Sequence, residues 1–106
     1  MIPREKRVMV IGDPYLCLIA AAAGAGYTVY RGSCDELAGV VESEEYGVYI
    51  VLREVYRVCK KVLDKLFEKD ALVVIVDSPK VMKEVDPKKY YEDLVAKYIG
   101  MRISLG

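Results

Sequence analysis

Gly47-Val48-Tyr49-Ile50-Val51-Leu52 begins the stretch of sequence that decides the fold, and the stretch ends at Asp77-Ser78-Pro79. Its two apolar runs, residues 48–52 and 72–76, are mostly β-branched, which is typical of strands buried on both faces of a parallel sheet. Between the runs, apolar residues recur at helical spacing, and charged residues occupy the other face. The apolar set is Val55, Val58, Cys59, Val62, Leu63, Leu66 and Phe67. This pattern predicts a right-handed βαβ crossover with its helix over residues 53–68.

A strand and an apolar helix are predicted near the N-terminus. Residues 8–11 form a short apolar run. Asp13 and Pro14 follow it, and these residue types are favoured at the N-cap and the first position of a helix. The helix over residues 15–23 is apolar on all sides, so we expect most of its surface to be covered, either by this chain or by another chain.

A second strand and a short helix should follow. Gly24 and Gly26 are expected to adopt left-handed conformations that end the first helix. Residues 27–30 then predict a strand. Ser33 and Glu36 have the spacing of a capping box, which predicts that a short helix begins there and ends near residue 41.

The C-terminal part should form a helix and a tail. Asp86 and Pro87 have the chemistry of a helix start, Gly100 is expected to end the helix, and residues 101–105 alternate as in a half-buried strand. The whole pattern predicts an α/β fold: a small parallel four-stranded sheet with alternating helices, Rossmann-like or receiver-like. We expect an α/β globular domain over residues 1–79 and a C-terminal helical arm over residues 80–106.

Composition narrows the possible functions. The net charge is zero, which favours neither nucleic acid nor an acidic membrane as a partner. The longest apolar run, residues 15–25, is shorter than the roughly 20 residues of a membrane span, and no secretory signal is visible. We therefore expect a cytoplasmic protein without direct membrane insertion. The chain has no His, Asn, Gln or Trp, and missing amides alongside many charged residues suggest a thermophile.

The three cysteines match no zinc or redox motif. Cys17, Cys34 and Cys59 are widely spaced and odd in number. We expect them to be small buried hydrophobic residues.

Polar residues at the carboxyl ends of the predicted strands are the natural candidates for a site. Asp13 and Asp77 could bind a cation or share a proton, but an N-cap role for Asp13 and a turn role for Asp77 are favoured, because both residues stand in turn-forming sequence. Asp13 and Ser78 would fit two roles of a phospho-accepting receiver domain. The third strand, however, ends in Leu52-Arg53, without the Asp that accepts phosphate. The sequence predicts no catalytic, cofactor-binding or metal-binding residue.

The order of these motifs resembles a known family, the F subunits of the archaeal and vacuolar-type rotary ATP synthases/ATPases. The resemblance covers nearly the whole chain. It rests on Val8-Met9-Val10-Ile11-Gly12-Asp13-Pro14, Ala23-Gly24, Tyr46-Gly47-Val48-Tyr49-Ile50-Val51-Leu52, Leu72-Val73-Val74-Ile75-Val76-Asp77-Ser78-Pro79, and Asp93-Leu94-Val95-Ala96-Lys97-Tyr98-Ile99-Gly100-Met101-Arg102-Ile103.

The resemblance implies a non-catalytic rotor subunit of the central stalk in a proton-translocating complex. Such a subunit lies beside the coiled-coil D subunit, with catalytic-head subunits as further candidate partners, and regulates coupling through its C-terminal arm. It would be peripheral to the membrane through that complex. The arm then offers a partner interface of Tyr91, Leu94, Val95, Tyr98, Ile99, Met101 and Ile103.

Other interpretations stay open. The same stripe of arm residues could pack on this chain's own sheet, since an amphipathic face does not say whose core it joins. The chain could be a degenerate receiver-like module that binds a signalling partner without a phosphoacceptor. It could also be a small enzyme that uses Asp13, Asp77 or a cysteine.

Overall fold

Four parallel strands form the centre of the protein. A computed structural model describes residues 7–79 and 86–105, with the helical backbone alone for residues 99–105. The strands are β1 (Arg7–Gly12), β2 (Gly26–Val29), β3 (Tyr46–Leu52) and β4 (Leu72–Val76), and they lie side by side in the order β2-β1-β3-β4. The sheet is in register from Val10 through Ile50 to Val74. The predicted α/β fold with a four-stranded parallel sheet is confirmed.

Helices cover both faces of the sheet. They are α1 (Pro14–Ala22), α2 (Leu37–Glu42), α3 (Arg53–Val58), α4 (Lys60–Leu63) and α5 (Pro87–Leu105), and a 3-10 turn (Asp64–Glu68) follows α4. Right-handed crossovers put α1 on one face and α2, α3 and α4 on the other. The contacts between helices agree with this arrangement: α1 contacts α5 and β1, whereas α2 contacts α4. No helix within residues 7–79 or 86–105 is long and apolar enough to cross a lipid bilayer.

The core lies around the two central strands. Val8, Val10, Ile11, Ile50 and Val51 are fully buried in β1 and β3. The prediction that β4 is buried on both faces is wrong, since Leu72 is 44% exposed and the next three residues are half-buried. The reason is position: β4 is the last strand of the sheet, a place that its apolar sequence does not reveal.

The predicted crossover helix is broken in the middle. The backbone of Cys59 leaves the helical region, with φ −106° and ψ 27°, and α4 starts again at Lys60. Apolar residues at regular helical spacing before and after the break therefore do not all lie on one buried face. Val58 and Phe67, which the pattern assigned to the buried face, are 65% and 53% exposed.

Two of the cysteines are joined, which corrects the expectation for them. Cys34 and Cys59 form a disulfide with their Cα atoms 5.4 Å apart. They meet because α2, which follows Cys34 in the chain, packs on α4, which follows Cys59. Cys17 stays a free thiol and is buried, as predicted.

Two turn predictions need correction. Gly24 has a left-handed φ of 86°, as predicted, whereas Gly26 lies inside β2 without one. A Cβ at Gly26 would lie 3.0 Å from the Tyr46 ring, so close packing favours glycine there. Ser33 does not cap α2: its Oγ accepts a hydrogen bond from the Asp35 N–H at 3.3 Å, and the helix begins at Leu37 without a side-chain cap.

Helix α5 is longer than predicted. It continues through Gly100 to Leu105, where the sequence indicated a stop and an extended tail. A glycine costs a helix about 1 kcal/mol relative to alanine, which need not end it. The first half of the helix packs on α1 and β1.

Candidate functional site

Asp13 lies at the carboxyl end of β1 with both carboxylate oxygens engaged. Its Oδ1 accepts a hydrogen bond of 2.7 Å from the Leu16 N–H, which is the predicted N-cap contact of α1. Its Oδ2 accepts a hydrogen bond of 2.9 Å from the hydroxyl of Tyr91 in α5. Asp13 therefore joins the start of α1 to the C-terminal helix.

Asp77 lies at the carboxyl end of β4 and has different partners. Its Oδ1 accepts a hydrogen bond of 2.7 Å from Arg53 Nε, and its main-chain carbonyl accepts one of 2.9 Å from the Tyr90 hydroxyl. Asp13 and Asp77 thus serve as a helix cap and an ion-pair partner, and no contact joins them into a shared site. The described residues contain no group of three or more His, Cys, Asp or Glu side chains that could hold a metal ion.

Tyr91 is buried at the carboxyl ends of the strands, beside Asp13. Its side chain is 1% exposed, and Ser78, which also bonds with its hydroxyl, is 4% exposed. Burial raises the pKa of Tyr91 well above its usual value, and the hydrogen bond to Asp13 raises it further. Burial, followed by the nearby Asp77, also raises the pKa of Tyr90. Tyr91 therefore stays neutral and acts as a donor.

The predicted partner interface on α5 divides into three parts. Tyr91 and Val95 are buried in the domain core. Leu94 and Tyr98 are partly buried and pack against that core. The side chains of Ile99, Met101 and Ile103 lie outside the described part of the chain. Over its first half the stripe thus packs on its own domain, which was the alternative interpretation of the pattern.

An apolar groove of about 500 Å³ runs between α1 and α5. Helix α1 has no charged residue, and it buries Leu16, Cys17 and Ala20 against the sheet. Its other side faces outward, with Leu18 66% exposed and Tyr15 41% exposed. The groove is lined by Tyr15, Leu18, Ile19, Ala22, Ala23, Lys88, Glu92, Val95 and Ala96. Among the described residues, this chain does not cover the outward side of α1, and the alternative that another chain covers it stays a prediction.

A smaller cavity of about 250 Å³ lies at the carboxyl ends of β1 and β3, where the direction of the crossovers reverses. Open α/β sheets bind ligands at this place. Here it is lined by Gly12, Asp13, Pro14, Tyr30, Leu52, Glu54, Val55 and Val58. The space beside Gly12 is already filled, since a Cβ there would lie 2.9 Å from Leu16. The backbone at Gly12 therefore packs on a side chain and does not form a phosphate cradle.

The cysteines are in unreactive surroundings. Cys34 and Cys59 are bonded to each other. The Cys17 thiol is buried and donates to the Thr28 carbonyl at 3.5 Å. Burial raises the pKa of Cys17 to about 11, so at neutral pH it remains a thiol. A thiol is a much weaker nucleophile than a thiolate.

Sequence reasoning missed the link between Tyr91 and Asp13, whose positions differ by 78. It also missed the role of Lys69. The ammonium group of Lys69 donates to the Val41 carbonyl at 2.8 Å and to the Tyr49 hydroxyl at 3.1 Å, near the end of α2. No motif links Tyr91 to Asp13, and Lys69 stands in no motif. The available signal for Lys69 is a cation shortly before a predicted strand.

The described part of the chain is a small α/β domain with a Rossmann-like parallel sheet. The polar groups of Asp13, Asp77, Tyr90 and Tyr91 at the carboxyl edge hold α5 in place, and the largest apolar concavity described above lies between α1 and α5. The chain matches no model of a known protein family, and a search of curated proteins found no match.

Proposed function

We propose that this protein is a non-catalytic binding subunit that docks a helix of a coiled-coil partner in the groove between α1 and α5. The observation that carries the proposal is the outward face of α1, which is uncharged and exposes Leu18 beside a groove of about 500 Å³. Soluble monomers rarely leave a contiguous apolar surface of this kind without a binding role.

The shape and charge of the groove fit a helix. Two roughly 10 Å-wide helices form its walls, as in helix-in-groove recognition, where anchors recur at helical spacing. Lys88 and Glu92 lie on its α5 side and provide one charge of each sign. Coiled coils commonly carry Glu and Lys beside the apolar seam, so a partner helix can pair with both residues. Covering Leu18 and Tyr15 would contribute roughly 1.5–3 kcal/mol for each side chain.

The resemblance to the F subunits of rotary ATP synthases makes the proposal specific. The partner would be the coiled-coil D subunit in the central stalk of an archaeal or vacuolar-type enzyme. The chain would then act in the cytoplasm as a peripheral rotor subunit that regulates coupling of a proton-translocating complex. The engagement of Asp13, Asp77 and Tyr91 in internal contacts supports a binding role for the domain.

Co-purification tests this proposal. The full chain is co-expressed with the D subunit of an archaeal-type rotary ATP synthase, and a stable complex is expected. Leu18→Glu should weaken that complex at least about tenfold, since it puts a charge in an apolar contact. Val58→Glu is the matched control, because Val58 is 65% exposed against 66% for Leu18 but lies on the opposite face of the sheet. Absence of a wild-type complex would overturn the proposal, and so would equal weakening by both substitutions.

A further inference from the structure

Strand β4 lies at one edge of the described sheet. It pairs with β3 from Leu72 to Val76 in regular parallel register. On its other side, among residues 7–79 and 86–105, no group donates to or accepts from the backbone of β4. A row of free N–H and C=O groups is complementary to another β-strand and to little else.

The sequence of β4 lacks the features that normally protect an edge. The strand reads Leu-Val-Val-Ile-Val, with no charged residue, no proline and no bulge. Leu72 is 44% exposed and Val73, Val74 and Ile75 are half-buried, so the apolar side chains are accessible as well. The opposite edge differs: β2 has four residues and includes Gly26 and Thr28. A very short strand is one of the usual protections of an edge. Of the two edges of the described sheet, β4 is therefore the one suited to accept a strand.

We propose that β4 pairs antiparallel with β4 of a second copy of this chain, about a two-fold axis at Val74. The pairing joins two four-stranded sheets into one continuous sheet of eight strands. An isologous interface of this kind requires a surface that is complementary to itself. The α1–α5 groove lies on a face of the sheet, so this interface is separate from the proposed helix-docking site.

The sequence around β4 favours a second copy as the occupant. With Val74 opposite itself, Val73 lies opposite Ile75 and Leu72 opposite Val76, so every cross-strand pair is apolar. The flanking acidic residues do not oppose each other, because Asp70 lies opposite Ser78 and Asp77 opposite Ala71. Apolar β-branched pairs stabilise a sheet, whereas like charges placed directly opposite destabilise it. A charged extended peptide would have no partner for its charges along this strand.

Analytical ultracentrifugation of the full chain tests the proposal, with a reversible dimer as the expected result. Val74→Lys puts two ammonium groups opposite each other and should raise the dimer dissociation constant at least about tenfold. Val74→Thr keeps a β-branched, uncharged side chain and is the matched control that should still dimerise. Val74→Glu alone should also be monomeric. A mixture of Val74→Lys and Val74→Glu should form a heterodimer, since opposite charges then meet at the axis.

The mixture separates loss of the interface from loss of the fold, because misfolded variants would not recover by mixing. If circular dichroism shows that either charged variant is unfolded, Leu72→Lys replaces both: its charge lies at an exposed position opposite the apolar Val76 of the other copy, and the folded variant should be monomeric. A wild-type chain that stays monomeric at every concentration overturns the proposal. So does a homodimer that persists in Val74→Lys alone or in Val74→Glu alone, or a dimer that is lost with Leu18→Glu, which would place the contact on α1.

Discussion

The hydroxyl of Tyr91 donates a hydrogen bond of 2.9 Å to Oδ2 of Asp13, and Oδ1 of the same carboxylate caps α1. The Asp13 carboxylate therefore accepts a hydrogen bond from the first turn of α1 and another from the side-chain hydroxyl of the buried Tyr91. Since Tyr91 belongs to α5, the bond fixes the C-terminal helix against the carboxyl end of β1. Helix α5, held in this position, forms one wall of the groove beside α1.

Tyr91→Phe should destabilise the protein by about 1.5–3 kcal/mol, because it removes a hydrogen bond to a charged group. Tyr90→Phe is a matched control. It removes a hydrogen bond of similar length, 2.9 Å, but to the neutral Asp77 carbonyl, and should cost about 0.5–1.5 kcal/mol. Urea denaturation measures both values. An effect of Tyr91→Phe no larger than that of Tyr90→Phe would show that the charge on Asp13 adds nothing to the bond.

The raised pKa of Tyr91 also predicts a loss of stability at alkaline pH. Unfolded tyrosine ionises near pH 10.0, whereas burial and then the Asp13 hydrogen bond keep Tyr91 protonated in the folded protein. Its contribution is therefore complete below pH 10.0 and declines as the pH rises above that value, since only the unfolded state releases the proton.

The pH dependence of the melting midpoint measures this decline, which should be smaller in Tyr91→Phe. Cys17 adds a decline of its own between pH 9.0 and about 11, since burial raises its pKa over that interval. The comparison is therefore made in a Cys17→Ala background. Identical alkaline slopes with and without the Tyr91 hydroxyl would contradict the prediction.

The disulfide between Cys34 and Cys59 should contribute substantially to stability. It closes a loop with a sequence separation of 25, for which the chain-entropy model gives about 3.5 kcal/mol. We expect a dithiol reductant to lower the urea midpoint of the wild type to near that of a Cys34→Ala/Cys59→Ala double variant. The reductant should leave the double variant itself unchanged. A fully reduced wild type with an unchanged midpoint would contradict the prediction.

The strands and the first helix cap could be predicted from the sequence because their causes are local. The apolar runs of β1 and β3 lie where the core is, and Asp13 caps the helix that follows it. The break at Cys59 could not be predicted, since a disulfide partner 25 positions away belongs to the tertiary fold. The hydrogen bond from Tyr91 to Asp13 could not be predicted either, because it too depends on the tertiary fold.

The edge position of β4 could not be predicted from its amino-acid composition. Its five apolar residues predict burial on both faces, and nothing in a single sequence distinguishes a last strand from a central one. The prediction that the C-terminal helix ends at Gly100 was also wrong. The intrinsic preference of glycine indicates the end of a helix, but α5 continues for five more residues. Propensity is a weak prior that surrounding residues can override.

The protein should be very stable to heat. The chain lacks Asn and Gln and is rich in charged residues, and these are features of hyperthermophile proteins. If the protein is intracellular, as proposed, its disulfide fits the thermophile hypothesis, because intracellular proteins of hyperthermophiles are an exception to the rarity of such bonds in the cytosol. We expect a melting midpoint above roughly 90 °C by calorimetry. A midpoint in the mesophile range of about 45–65 °C would remove the thermophile hypothesis.

Lys69 should stabilise the end of α2 through its ammonium group. It donates to the Val41 carbonyl at 2.8 Å, to the Ser43 carbonyl and to the Tyr49 hydroxyl, and lies 5.2 Å from the centre of the Tyr49 ring. A cation is favourable here because the last carbonyls of a helix carry partial negative charge and have no partner within the helix.

Lys69→Met keeps the length of the side chain but removes the charge and its donors. We expect a loss of about 1.5–3 kcal/mol in urea denaturation, because carbonyls near the helix end lose a charged donor. Amide exchange of α2 should accelerate, while exchange of β1 at the centre of the sheet should follow only the global loss of stability. The control is Lys65→Met, an exposed lysine of the 3-10 turn, which should change stability by less than about 0.5 kcal/mol. Equal losses in the two variants would assign the effect to the general charge balance and not to the α2 carbonyls.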